Sequence, residues 1–148
     1  MYERILVAVD NSSTSDKALE EAISLAQVHK AVLRLAHVVD TAMLDVDNGG
    51  LVSIHEVVQS LRQGGESLLR KSEARVREAD VAVETSLLET LGVTRIATEI
   101  VEAAKKWPAD LVVLGTHGRR GFVHLFLGSV AEDVVRIATT PVLLIRGE

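Results

Sequence analysis

Near its amino end the chain runs Arg4-Ile5-Leu6-Val7-Ala8-Val9-Asp10. A stretch from Thr14 to His29 follows, and then a second apolar run from Ala31 to Val39. The first run is short, apolar and closed by Asp10, and it reads as a buried strand. Between Thr14 and His29 the apolar residues Ala18, Leu19, Ala22, Ile23, Leu25 and Ala26 fall at the spacing of one helical face. Val32, Leu33, Leu35, Val38 and Val39 make the second run a strand. Strand, helix, strand within 36 residues is the unit that joins two parallel strands through a crossover helix.

The same alternation continues to the end. Asp40 to Val52 has no period, contains Gly49-Gly50 and reads as a loop. Ser53 to Ala79 is helical, with Val57, Val58, Leu61, Leu68, Leu69 and Val76 apolar and Arg and Glu crowding the other side. Asp80 to Leu88 alternates through Val81, Val83, Thr85 and Leu87 as a strand does. Val93 to Lys106 is helical and stops at Trp107-Pro108, because proline disfavours the helical conformation of the residue before it. Leu111-Val112-Val113-Leu114 is the most apolar run and reads as a central strand. A glycine-punctuated loop from Gly115 to Leu127, a helix from Gly128 to Thr139 and a last strand from Pro141 to Ile145 complete the order βαβαβαβαβ. That order predicts one doubly wound α/β domain over residues 1–148, a parallel five-stranded sheet with helices on both faces in a three-layer sandwich.

Composition narrows the class. Apolar residues make up 47% and charged residues 25%, as in ordinary globular domains. Tyr2, Trp107, Phe122 and Phe126 are the only aromatics, so the core must be aliphatic. The absence of cysteine excludes disulfides, cysteine–zinc sites and thiol chemistry. A formal net charge of −5 argues against a nucleic-acid-binding surface. No apolar run reaches the ~18 residues of a membrane helix. Ile5 to Val9 is shorter than the ~7–15-residue core of a signal peptide. The expectation is a cytoplasmic protein with neither nucleic acid nor membrane as partner.

In doubly wound sheets ligands bind beyond the carboxyl ends of the strands, where the strand order reverses. Asp10 to Ser13, Val38 to Asp40 and the residues from Gly115 onward fall there. Gly115-Thr116-His117-Gly118, nine residues, then Gly128-Ser129 is the strongest signal. Glycines let the backbone approach an anion and adopt positive φ, so that amide groups turn toward it. Gly128-Ser129 opens a helix, whose free N–H groups and dipole favour phosphate. Arg119 and Arg120 lie in the intervening loop, and His117 is a further candidate for phosphate contact. A purely structural reading competes: Ser129-Val130-Ala131-Glu132 fits a capping box, and Gly115 ends a strand. Asp10 likewise fits a turn that supplies caps for the first helix.

The glycine pattern resembles that of the universal stress protein family, in its ATP-binding branch. The resemblance spans the chain: Tyr2 to Asp10, Leu35-Ala36-His37-Val38-Val39, Ala109 to Gly118, Gly128 to Glu132 and Pro141 to Ile145. It implies strand order 3-2-1-4-5 and ATP above strands 1 and 4, with Mg or Mn held by the phosphates. It implies that Asp10 contacts the adenine or ribose, and that Ala8 and Val38 line the adenine pocket with Leu114 beside it. Gly115, Gly118, Gly128, Ser129 and Val130 would hold the ribose and phosphates. The chain departs from the family pattern at Asn11, where many members have glycine. It also has Gly92-Val93-Thr94 in place of a frequent Gly-x-Pro.

The function expected is an ATP-binding stress-response module with little or no catalysis and no catalytic residues of its own. The alternative is a slow ATP-hydrolysing or nucleotidyl-transfer enzyme on the same fold, disfavoured because neither a magnesium-binding acidic cluster nor a Walker lysine is present. A phosphoacceptor domain would need an acidic pair after the first strand, and a dinucleotide-binding domain a Gly-x-Gly-x-x-Gly there; Asp10-Asn11-Ser12-Ser13 is neither. Asp45-x-Asp47-x-Gly49-Gly50 with Glu56 mimics a calcium loop. The fifth position is glycine, a strand precedes it, and Ser53-x-x-Glu56 explains Glu56 as a capping box. No protein-held metal is therefore expected. The apolar last strand, Pro141 to Ile145, with only Arg146-Gly147-Glu148 after it, is expected at a sheet edge, where pairing with a second copy would give a homodimer.

Overall fold

The structure, a computed structural model, describes residues 1–41, 44, 53–90, 95–117 and 127–147. Nine elements alternate: β1 (Arg4–Ala8), α1 (Ser13–His29), β2 (Val32–Val39), α2 (Ile54–Glu78), β3 (Val83–Glu89), α3 (Ile96–Lys106), β4 (Leu111–Gly115), α4 (Ser129–Ile137) and β5 (Val142–Ile145). The strands form one sheet in the order β3-β2-β1-β4-β5, parallel throughout. β1 therefore lies between β2 and β4, with Ile5 level with Leu33 on one side and Leu111 on the other. The chain winds outward through β2 and β3, then crosses back to β4. That reversal places the switch point between β1 and β4.

The period-2 alternation of the strands sorts side chains to two cores. Ile5, Val7, Leu33, Leu35, Leu111 and Val113 face α1 and α2, meeting Leu19, Ala22, Leu69 and Val76. Leu6, Ala36, Val112 and Leu114 face α3 and α4, meeting Ala97, Ile100, Val101, Ala131 and Val134. Ile5, Leu6 and Val7 are all fully buried, although consecutive, because β1 is covered on both faces. Each such side chain contributes roughly 1.5–3 kcal/mol of burial. A one-residue slip of β1 would exchange the two faces, so the register is strongly fixed.

Helix ends follow local chemistry. Ser53 caps α2, its hydroxyl accepting the Glu56 N–H at 3.4 Å, as the Ser53-x-x-Glu56 pattern predicts. α1 ends at Lys30, which takes the left-handed conformation with φ 57° while the Ala31 N–H returns to the Ala26 carbonyl. α3 stops at Trp107, ahead of Pro108, and the Arg34 guanidinium lies 4.6 Å from the Trp107 ring centroid. The Asp110 carboxylate accepts the Glu3 N–H at 2.9 Å and the Arg4 N–H at 3.2 Å, tying the entry of β1 to that of β4. Among the described residues no helix is long and apolar enough to cross a membrane.

Candidate functional site

The turn from β1 into α1 is built from short polar side chains. The Asp10 carboxylate accepts the Ser12 N–H at 2.7 Å through Oδ1, closing an Asx turn. Ser12 caps α1, its Oγ accepting the Ser15 N–H at 3.2 Å. Ser15 Oγ in turn accepts the Asp10 N–H at 2.8 Å. The cap-forming role read for residues 10–14 is thus real, yet it engages only Oδ1 of Asp10 and leaves the half-buried carboxylate a second oxygen.

α1 reaches across to the end of β4. The Thr14 hydroxyl, and that of Ser12 at 3.4 Å, donate to the His117 carbonyl. Thr14 is buried, and its neighbours leave it little space. A Cβ at Gly115 would sit 2.6 Å from Thr14 Oγ1 and 2.9 Å from its carbonyl carbon. Gly115 is therefore required by the close approach of α1, a cause that its place in a glycine motif does not reveal.

The end of β4 is also stitched to the start of α4. Thr116 donates its N–H to the Ile145 carbonyl at 2.8 Å and accepts the Gly128 N–H at 2.7 Å. Gly128 is the N-cap of α4 with φ −61° and ψ 153°, so the expected positive φ is not found there. Space, not conformational freedom, is what glycine supplies. Ser129 is the first helical residue, one position too late to cap, so the Ser129–Glu132 capping box does not form. Glu132 pairs instead with Arg136 at 3.2 Å. The first-turn N–H groups of Ser129, Val130 and Ala131 have no acceptor within the helix, and they carry its positive dipole end. Ser129 itself is exposed.

Ala8, Val38, Leu114 and Val130 belong to the same apolar cluster on the α3/α4 face. Ala8, Val38 and Val130 keep partial exposure, whereas Leu114 is buried. Beside them, buried Thr90 joins the ends of β2 and β3. Its hydroxyl accepts the Thr41 N–H at 2.9 Å and donates to Asp40 Oδ1 at 3.3 Å, and its carbonyl accepts the Thr41 hydroxyl at 2.8 Å. The half-buried His117 ring pairs through Nδ1 with Thr116 Oγ1 at 2.9 Å. Gly118, Arg119 and Arg120, the calcium-like positions 45–50, and the departure at 92–94 lie outside the described residues.

Eight of the nine residues read as binding positions thus come to one end of the sheet, on β1, β2, β4 and the first turn of α4. Thr14, Thr116 and Thr90 join them unannounced. Their partners lie 103, 12 and 49 residues away, so periodicity carries no trace of them. Chemically the arrangement offers a carboxylate oxygen, a helix N-terminus and an apolar wall, a set suited to a ligand with one flat apolar part and one anionic part.

A family model described as the universal stress protein family matches residues 1–146, and the chain belongs to that family. Universal stress protein MJ0531 of Methanocaldococcus jannaschii is 36% identical over 146 residues, covering 99% of this chain and 83% of that protein. The crystal structure of a universal stress protein family member from Burkholderia pseudomallei aligns with a TM-score of 0.80 and 34% identity, over 97% of this chain and 96% of the other. A universal stress protein of Archaeoglobus fulgidus, described in complex with dAMP, shares the fold with a TM-score of 0.68 and 24% identity, over 97% of this chain and 98% of its own.

Proposed function

We propose that this chain is a regulatory module that binds ATP, turns it over slowly or not at all, and acts as a homodimer. The observation that carries the reading is the knot at the switch point. Three segments distant in sequence are tied to one another there: Ser12 and Thr14 to His117, and Gly128 to Thr116. The knot brings the start of α4, whose first-turn amides have no acceptor within the helix, to the same end of the sheet as the Asp10 turn. Phosphate oxygens fit such a donor set. The dAMP bound by the structural relative supports an adenine nucleotide as the ligand class.

In this reading Asp10 contacts the nucleoside, and Ala8, Val38 and Leu114 form the adenine side. Gly115, Gly118, Gly128, Ser129 and Val130 hold the ribose and phosphates, largely through backbone groups. Mg or Mn rides on the phosphates. With Asp10 on the nucleoside and His117 Nδ1 engaged by Thr116 Oγ1, the reading favours storage or sensing of the nucleotide over its turnover.

Denaturing the purified protein and identifying released nucleotide by mass spectrometry, together with calorimetric titration of the stripped protein with ATP, tests the proposal. ATP in the released fraction, or saturable ATP binding, is expected. Stripped, folded protein that binds no adenine nucleotide overturns it.

A further inference from the structure

We propose that His37 is a positioning residue for the nucleotide site, and that Gly65 in α2 makes the room it needs, so that the seating of α2 on the sheet is coupled to nucleotide affinity. The inference rests on the nucleotide-site reading above and adds a control element to it.

Pairing of β1 with β2 ends at Ala8 and Ala36. One more backbone bond follows, from the Val9 N–H to the Ala36 carbonyl at 2.8 Å. The Val9 carbonyl is then held by the His37 ring, with Nδ1 at 2.8 Å. A carbonyl only accepts, so Nδ1 carries the hydrogen. The same peptide unit contains the Asp10 N–H, which donates to Ser15 Oγ at 2.8 Å. The Val9–Asp10 peptide is therefore gripped on both sides, by His37 from β2 and by Ser15 from α1. A planar peptide fixed at its C=O and its N–H has little freedom to rotate. Its orientation determines where Asp10 projects its carboxylate.

His37 is itself held in place by α2. Gly65 is buried in the middle of that helix, although glycine is a poor choice in a helix interior. A Cβ there would lie 2.8 Å from His37 Cδ2 and 2.7 Å from Leu87 Cδ1. The neighbouring Gly64 meets nothing within 4 Å. Two adjacent glycines thus differ in one respect: only Gly65 faces the ring. Any displacement of α2 at that point moves the ring, and with it the grip on Val9. By reciprocity, a ligand that needs Asp10 in position stabilises the seating of α2.

The test uses the full chain and ATP. His37→Phe keeps an aromatic ring, somewhat larger than imidazole, and loses the donor. His37→Asn retains an N–H donor at the position of Nδ1. Gly65→Ala crowds the ring, and Gly64→Ala is its control. Thermal unfolding and circular dichroism establish that each variant is folded. Calorimetry is expected to show His37→Phe and Gly65→Ala binding ATP about tenfold more weakly, the size of one lost hydrogen bond with its acceptor left unpaired. His37→Asn recovers most of the affinity, and Gly64→Ala matches wild type. The Asp10 amide resonance of the nucleotide-free protein shifts in the first two variants and not in Gly64→Ala. If His37→Phe does not fold, Gly65→Ala against Gly64→Ala decides the question. Wild-type affinity in folded Gly65→Ala and His37→Phe overturns the coupling while leaving the ATP site standing. Wild-type protein that binds no ATP overturns both.

Discussion

The Gly128 N–H donates to the Thr116 carbonyl at 2.7 Å, and a Cβ at position 128 would lie 2.7 Å from that same oxygen. One contact thus closes the end of β4 onto the start of α4 and forbids a side chain at the junction. Real Cβ atoms do not approach a carbonyl oxygen so closely. A side chain at 128 must therefore push the first turn of α4 away from Thr116.

Gly128→Val is accordingly expected to lower ATP affinity by at least about tenfold, since overpacking of this kind costs on the order of 1–3 kcal/mol. The α4 face toward the core, Ala131 and Val134, is untouched, so the fold should persist. Circular dichroism checks the fold, and calorimetry checks affinity. Normal ATP binding by the folded variant would place the phosphate site elsewhere.

Affinity should rise from adenosine to AMP to ATP. In the proposed reading adenosine engages the Asp10 turn, the apolar wall of Ala8, Val38 and Leu114 and the backbone groups that hold the ribose, but it brings no anion to the start of α4. In the same reading phosphates add the first-turn amides of α4, which have no acceptor within the helix. Each interaction of an anion with a helix N-terminus is worth typically ~0.3–1 kcal/mol at the surface and up to about 2 kcal/mol when partly buried. The gap between adenosine and ATP should shrink as salt is raised, because screening weakens the charge term. Equal affinity for all three ligands would contradict the phosphate cradle.

Much of this architecture is legible in the sequence because it rests on repeating patterns. The strand and helix order follows from periodicity, and the Gly115 to Ser129 spacing picks out the carboxyl end of the sheet. The two-sided burial of β1 shows as an unbroken apolar run. What the sequence hides are single contacts between distant residues. Thr14 explains Gly115, Thr116 explains Gly128, and Leu87 and His37 together explain Gly65. In each case the glycine is visible and its cause is not, because the cause is a three-dimensional neighbour. Gly64 is the instructive exception, since nothing lies near it. Gly64→Ala should therefore raise stability by ~0.5–1 kcal/mol, the cost of a helix-interior glycine. A denaturant midpoint that falls instead would show that α2 needs flexibility at this point.

ATP turnover should be far below the ~1–10³ s⁻¹ typical of enzymes. Hydrolysis needs a base within reach of the attacking water. In the proposed reading Asp10 contacts the nucleoside, away from the terminal phosphate, and His117 Nδ1 is engaged by Thr116. Among the described residues no group of three acidic or histidine side chains is arranged to hold a metal, and in the proposed reading the phosphates carry it. Release of labelled phosphate under saturating ATP and Mg measures the rate. Multiple turnovers per second would assign this chain to the enzymes.

The last expectation concerns β5. Its place at the edge of the sheet leaves one side of its backbone without a strand partner among the described residues. Val142 to Ile145 are all half-buried: Leu143 and Ile145 pack on the face that α1 covers, Val142 and Leu144 on the face that α4 covers. The protein's own helices therefore cover the two faces of the strand but not its open edge. On neighbouring α4, Val135 and Ile137 remain 49% and 41% exposed. An open edge flanked by exposed aliphatic residues invites pairing with another strand. Pairing with its own copy about a two-fold axis satisfies the β5 edges of both chains at once in a closed dimer. Leu143→Lys separates the possibilities. The lysine stem can cover the α1 side while its charge reaches the edge. In a dimer built on this strand, two such charges meet and dissociate it. In a monomer the change is tolerated with little effect. Light scattering at micromolar concentration should give a dimer for wild type and a monomer for folded Leu143→Lys, and a monomeric wild-type protein would exclude the β5 interface.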